Sequence, residues 1–170
     1  WSSDVCSSDL REWGGAEFGA IFSTMGISAI FMPAITGVIA DRYINAERLL
    51  GICHLLGAAV LVYLPQVNDP RTFFCVILLY MLVYMPTISL ANTVSYTALV
   101  GAGKNIVTDF PPIRVWGTIG FIVAMWIVSL LKIETSALQF YVAATASVAL
   151  GLYAFTLPAC PPDRKSTRLN

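Results

Sequence analysis

The sequence predicts an all-α membrane protein of five transmembrane helices, and three observations carry that prediction. Hydrophobic residues make up 57% of the chain and charged residues only 12%, against roughly 25% charged in ordinary soluble domains. The charges are spaced so that five intervals hold none: 18–40, 49–68, 72–103, 115–131 and 135–162. The gaps between intervals carry turn chemistry. A hydrocarbon core about 30 Å thick is crossed by roughly 20 helical residues, so four intervals suffice by length. The fourth, at 17 residues, is bracketed by Arg114 and Lys132, whose apolar stems let the charged ends reach the interfaces.

Taken in order, the helices are expected at about 17–41, 48–66, 72–99, 112–132 and 136–158. The first ends at "DRYINAER" (41–48), a short charged turn. The second ends at "QVNDPR" (66–71), where Asn, Asp and Pro favour a turn. "GAGKNIVTDFPP" (101–112) reads as the longest loop, with Pro111-Pro112 in the first turn of the fourth helix, where missing N–H groups cost little. "LKIETS" (130–135) closes that helix, and Thr135 or Ser136 is the expected N-cap of the fifth. Small residues mark the expected packing faces: Gly19, Ser23, Gly26, Ser28 and Ala29 in the first helix, Gly51, Gly57, Ala58 and Ala59 in the second. In lipid no hydrophobic force drives helices together, so close backbone approach must do it. Pro33 and Pro86 fall inside the first and third helices as candidate flexing points, since proline frees a carbonyl one turn back.

The two ends need separate treatment. A DNA segment encoding residues 163–170 has a reverse complement that, one frame over, encodes Ser-Asp-Val-Cys-Ser-Ser-Asp, which is residues 3–9. One segment in opposite orientations thus accounts for both termini. Residues 1–10 and 163–170 read as adapter-derived, non-native stretches, to be set aside from fold reasoning. Between 11 and 162, seven Lys/Arg balance seven Asp/Glu, so no net field recruits nucleic acid. Cys53, Cys75 and Cys160 lack CxxC spacing and lie in or beside apolar runs, which indicates neither a disulfide framework nor a metal site. "GAGKN" lacks a Ser or Thr after Lys104, and Ala98 stands where a P-loop has its first glycine. Nothing in the sequence indicates an enzyme.

Four constellations could carry function. Arg114, Thr118 and Phe121 stand at i, i+4 and i+7, so a helix places a cation, a hydroxyl and an aromatic ring on one stripe. That stripe suits a polar, planar molecule; it equally suits an interfacial arginine beside a self-bonded threonine. Burying a guanidinium in hydrocarbon costs at least a few kcal/mol, so such a residue has a purpose. Asp41-Arg42 followed by Glu47-Arg48 could form a charge-paired hinge or simply a solvated loop. The third helix carries Tyr84, Thr87, Ser89, Asn92, Thr93, Ser95 and Tyr96, of which Asn92 and Tyr84 are candidates for a polar pathway; interhelical bonding is the alternative. His54, the one histidine, reads as packed or as a proton relay.

These residues resemble a known family. "GVIADRYINAERLL" is similar to the signature between helices two and three of the major facilitator superfamily, departing from it at Ile44-Asn45. "FMPAITGVIAD", "YMPTISLANTVSY" and "DFPPIRVWGTIGF…AMWIVSL" resemble the nucleoside:proton symporters, over essentially all of residues 13–158. The resemblance implies a twelve-helix fold of two six-helix halves around a midplane site. The five helices here would be the second to sixth, a partial N-terminal half. It implies a bacterial inner-membrane importer with the proton as coupling ion and no other cofactor. It implies that Arg114, Thr118 and Phe121 contact the nucleoside, with Phe121 near the base. The coupling acid and the partner polar residues would lie in the missing C-terminal half. The 41–48 and 101–114 loops would face the cytoplasm, as a four-to-three excess of Lys and Arg also suggests.

Overall fold

The structure, a computed structural model, describes residues 15–133 and 136–160. Residues 1–10 and 163–170 lie outside the described residues, as do Thr135 and the side chain of Asp41. Five helices follow one another: α1 (Gly15–Arg42), α2 (Ala46–Tyr63), α3 (Pro70–Gly101), α4 (Ile106–Leu130) and α5 (Leu138–Ala154), with a short 3-10 turn at Leu64–Gln66 after α2. Helices are the expected solution, because a chain in hydrocarbon must satisfy every backbone N–H and C=O within itself. Four helices are long and apolar enough to cross a membrane; α5, at 17 residues, is the shorter one. Its rise is about 25 Å, so it falls short of the expected span to 158, and residues 155–157 form turns instead.

Packing does not follow chain order. α1 lies on α3, and α2 is held between α3 and α5, whereas α1 barely touches α2 and α4 touches α3 only lightly. The densest cluster gathers Ala40 from the end of α1, Ala46, Leu49, Leu50 and Cys53 from the start of α2, Leu90 and Val94 from α3, and Ala154 and Cys160. It sits at one end of the bundle. Elsewhere the surface is apolar: Phe22 is 72% exposed, Ile30 71%, Trp116 72% and Trp126 69%. In water such a surface would be costly, but against lipid it is not.

The small-residue expectation holds for one pair of helices and fails for another. Where α2 crosses α5, a Cβ on Gly51 would stand 2.9 Å from the Phe155 ring and 3.1 Å from the Gly151 carbonyl, and one on Gly151 would stand 3.2 Å from the Gly51 carbonyl. A Cβ on either side would press on the facing backbone carbonyl, so glycine at both positions suits that approach. Gly57 and Ala58 are also buried, while Ala59 is exposed. In α1, by contrast, Gly19 and Gly26 have nothing near them, and Ser23 and Ala29 are exposed. Of the residues expected there only Ser28 is buried, and it shares a hydroxylic face with two threonines: Thr24, Ser28 and Thr36 are 0%, 0% and 5% exposed. Thr24 donates to the Ile21 carbonyl and Thr36 to that of Met32, so most of this polarity is neutralised within the helix. Both helices run unbroken through their prolines, with Pro33 half-buried and Pro86 buried.

In the 41–48 turn the side chain of Asp41 lies outside the described residues, and no ion pair joins the charged side chains that are described. Arg42 and Arg48 are exposed, while Glu47 is 4% exposed. Its carboxylate accepts from the Asn45 amide at 3.0 Å and from the backbone N–H of Cys160 at 2.9 Å. A buried carboxylate in the first turn of α2 thereby pins the segment that follows α5. At the other end of the molecule, Asp69 caps α3 by accepting from the N–H and hydroxyl of Thr72, both at 2.8 Å.

Candidate functional site

The site begins with the reversal between α3 and α4. It is a tight turn, not the long loop expected: the Lys104 N–H bonds back to Leu99, and Gly103 takes φ +67, a left-handed conformation suited to glycine. Helix α4 then starts at Ile106, six residues before the expected 112. Asn105 accepts from the Val107 N–H at 2.9 Å, and Asp109 reaches back to accept from the Asn105 N–H at 2.9 Å. This reciprocal cap satisfies donors that would otherwise be orphaned. Pro111 and Pro112 therefore lie in the second turn, and Arg114 is well inside the helix instead of at its head.

Because the turn is short, α4 runs antiparallel to α3. The rings of Tyr96 and Phe110 meet edge to face, with centroids 4.6 Å apart, which sets the register. One helical turn further along, Asn92 stands level with Arg114; one more, and Ile88 stands level with Thr118. These two faces enclose a cavity of about 620 Å³, lined by Ile88, Asn92 and Ser95 from α3 and by Arg114, Thr118 and Phe121 from α4, with Phe110, Ile113 and Gly117 at its floor and margin. Gly117 and Gly120 have open space where a side chain would be.

The three residues predicted on one stripe thus share one cavity wall, and Asn92 faces them. The Thr118 hydroxyl donates to the Arg114 carbonyl at 3.2 Å, and the Ser95 hydroxyl to the Ala91 carbonyl at 2.8 Å. Arg114 is exposed, and among the described residues its guanidinium has no carboxylate partner. It is the one charged group on the wall, so the cavity carries a positive potential with five N–H donors. Phe121, 65% exposed, offers a ring face. The arrangement can hold a neutral or electron-rich planar group by donation from Arg114 and stacking on Phe121.

Other candidates fall elsewhere. Tyr84 stacks on Tyr80 at 5.5 Å and is not among the lining residues; neither are Pro33, Pro86 and Arg42. His54 lines an adjoining, apolar cavity of about 470 Å³ among α2, α3, α5 and Ile113 of α4, which shares Ala91, Ser95 and Ile113 with the first. Its Nδ1 lies 3.2 Å from the Ser147 hydroxyl, whose own proton goes to the His54 carbonyl at 2.9 Å. Serine has a single proton, so Nδ1 is the donor and the ring is a packed, oriented histidine. Two features escaped sequence reasoning. Ile88 joins the wall only through the α3–α4 register, and the Glu47–Cys160 contact spans 113 positions with no local signal.

With this geometry in hand, known proteins are informative. The family model described as Nucleoside H+ symporter matches residues 7–169. The nucleoside permease NupG of Escherichia coli (strain K12) is 50% identical over 150 residues, which is 88% of this chain and 36% of that protein. The xanthosine permease of the same organism is 53% identical over 154 residues, 90% of this chain and 37% of that protein. The chain therefore spans little more than a third of the relatives it matches. A crystal structure of a mutant of the nucleoside transporter NupG superposes with a TM-score of 0.91 at 46% identity, covering 96% of this chain and 40% of that one. A further NupG crystal structure gives 0.86 at 47% identity. A multi-pass helical architecture, an antiparallel pair of helices enclosing an arginine-bearing cavity, and a family match over nearly the whole length lead to one conclusion: this chain belongs to the nucleoside H+ symporter family.

Proposed function

We propose that the chain is part of a proton-coupled nucleoside importer of a bacterial inner membrane, in which Arg114, Thr118 and Phe121 contact the nucleoside. The observation that carries this reading is the shared wall: a lone cation, a hydroxyl and a ring face on one side of a cavity roomy enough for a nucleoside, in a chain whose relatives are nucleoside and xanthosine permeases. Phe121 stacks the base and Arg114 donates to its polar edge. The proton is the coupling ion. The coupling acid lies in the other half of the transporter, as the family resemblance implies. The partners are the nucleoside, the lipid bilayer and the second half of the same protein, with 41–48 and 101–114 on the cytoplasmic side. Asp41, Arg42, Pro33 and Pro86 serve the movement between access states, and Tyr84 borders the pathway.

The test uses the complete transporter in a bacterium deficient in nucleoside uptake. Labelled uridine uptake is measured with and without a protonophore, for wild type and Arg114→Ala. Hydrogen bonds to a charged group contribute about 1.5–3 kcal/mol, so the substitution is expected to raise the uridine KM by about 10- to 100-fold. Uptake insensitive to the protonophore would remove proton coupling from the reading. An unchanged KM in Arg114→Ala would reduce that arginine to an interfacial anchor. Uptake of a sugar instead of uridine would assign a different substrate class.

A further inference from the structure

The hydrogen-bonding capacity of the cavity wall is unevenly divided. Ser95 and Thr118 each commit their hydroxyl proton to a carbonyl one turn back in their own helices, so towards the cavity they present lone pairs only. Arg114 presents N–H groups only. Asn92 is the one lining side chain that presents both a donor and an acceptor, and among the described residues its half-buried amide makes no hydrogen bond. An unanchored amide is free to turn over, exchanging the positions of its oxygen and nitrogen.

Direction matters as well. Helical side chains lean towards the N-terminus of their own helix. Because α3 and α4 are antiparallel, Asn92 leans towards the level of Thr118 from below while Phe121 leans towards it from above. A flat ring lying on Phe121 therefore has its edge at Asn92. Resting on the nucleoside reading above, we infer that Asn92 reads the nucleobase edge and is a specificity-determining residue of this half of the site. Against an edge with a ring N–H beside a carbonyl, as in uracil, the Asn92 carbonyl accepts and its NH2 donates. Against a ring nitrogen beside an amino group, as in cytosine, the amide turns over and the same two bonds form in reverse. One residue thus serves both classes of base and rejects an edge whose ring N–H is blocked.

The experiment is competition against labelled uridine uptake by the complete transporter, with uridine, cytidine and N3-methyluridine as competitors. In wild type, uridine and cytidine are expected to compete within about threefold of one another, and N3-methyluridine about 10-fold more weakly, the effect of one or two lost hydrogen bonds. In Asn92→Leu, which keeps the size and removes both polar groups, uridine and cytidine weaken about 10-fold and the methyl discrimination disappears. Asn92→Gln restores part of it. Full discrimination against N3-methyluridine in the Leu variant, with an unchanged uridine KM, would overturn the inference and leave Asn92 as a helix-packing residue. Where the Leu variant does not reach the membrane, the Gln variant decides: its amide is displaced by one methylene, and an unaltered competition ratio overturns the inference equally. Absence of uridine uptake by wild type would instead sink the nucleoside reading, and the inference with it.

Discussion

The crossing of α2 and α5 offers a sharp test of what holds the bundle together. Consider Gly51→Ala. The new methyl would stand 2.9 Å from the Phe155 ring, which can turn aside, and 3.1 Å from the Gly151 carbonyl, which is backbone and cannot. Helix propensity favours alanine over glycine by about 1 kcal/mol, whereas overpacking costs about 1–3 kcal/mol. The net expectation is a loss of about 1 kcal/mol. Gly57→Ala is the internal control, because there the methyl meets only the Tyr80 ring, at an ordinary 3.6 Å; propensity should win, with a gain of up to about 1 kcal/mol. The two substitutions are chemically identical, lie on the same helix and are expected to differ in sign. Gly51→Leu, which must part the helices, should cost about 3 kcal/mol or more. Thermal unfolding of the purified complete transporter, at fixed detergent and followed by tryptophan fluorescence, reads these as shifts of about 1 °C per kcal/mol for a chain of roughly 400 residues. A Gly51→Ala protein as stable as Gly57→Ala would refute the argument that backbone approach, and not side-chain packing, sets this crossing.

Three further outcomes follow from contacts outside the cavity. Glu47→Ala leaves the Cys160 N–H buried and unpaired and should cost about 1–3 kcal/mol in the same assay, while Glu47→Gln, which keeps one carbonyl oxygen, should cost less. Asn105→Ala removes the acceptor for the Val107 N–H and should cost about 1 kcal/mol, seen as faster hydrogen exchange confined to the first turn of α4. Hydrogen bonds from the Thr72 backbone and hydroxyl hold the Asp69 carboxyl below its ordinary value. A lowered carboxyl stabilises the folded state above its unfolded pKa and loses that contribution as pH falls through the folded one, so protection of the first turn of α3 should weaken below about pH 4. Asp69→Asn does not titrate, and its protection should stay level over the same range.

Much of this architecture is legible from charge spacing alone, because lipid leaves a backbone no alternative to the helix. What was not legible has physical causes. The start of α4 was misplaced because Pro111-Pro112 looks like a first turn, while the actual signal is the Asn105 and Asp109 pair, which needs two side chains to close on each other's backbone. Of the small residues expected on the packing face of α1, only Ser28 is buried; Thr24 and Thr36, whose hydroxyls bond within their own helix, share that face with it, and residue size alone does not signal them. Arg114, Thr118 and Phe121 could be grouped by counting along one helix. Asn92 could not be placed opposite them, since that requires the register fixed by Tyr96 and Phe110. Tyr84, on the same helix as Asn92, stacks on Tyr80.

The out-of-order pairing of helices has a consequence in time. Helix α1 finds its main neighbour only when α3 exists, and 59 residues separate Arg42 from Gly101. At roughly 5–20 residues per second, synthesis keeps α1 waiting in the bilayer for about 3–12 s. During that interval its hydroxyls would each seek a partner in hydrocarbon. Thr24 and Thr36 already have one within their own helix, so α1 can reside alone in lipid. Only Ser28, with no partner for its buried oxygen among the described residues, carries that burden into the assembled bundle.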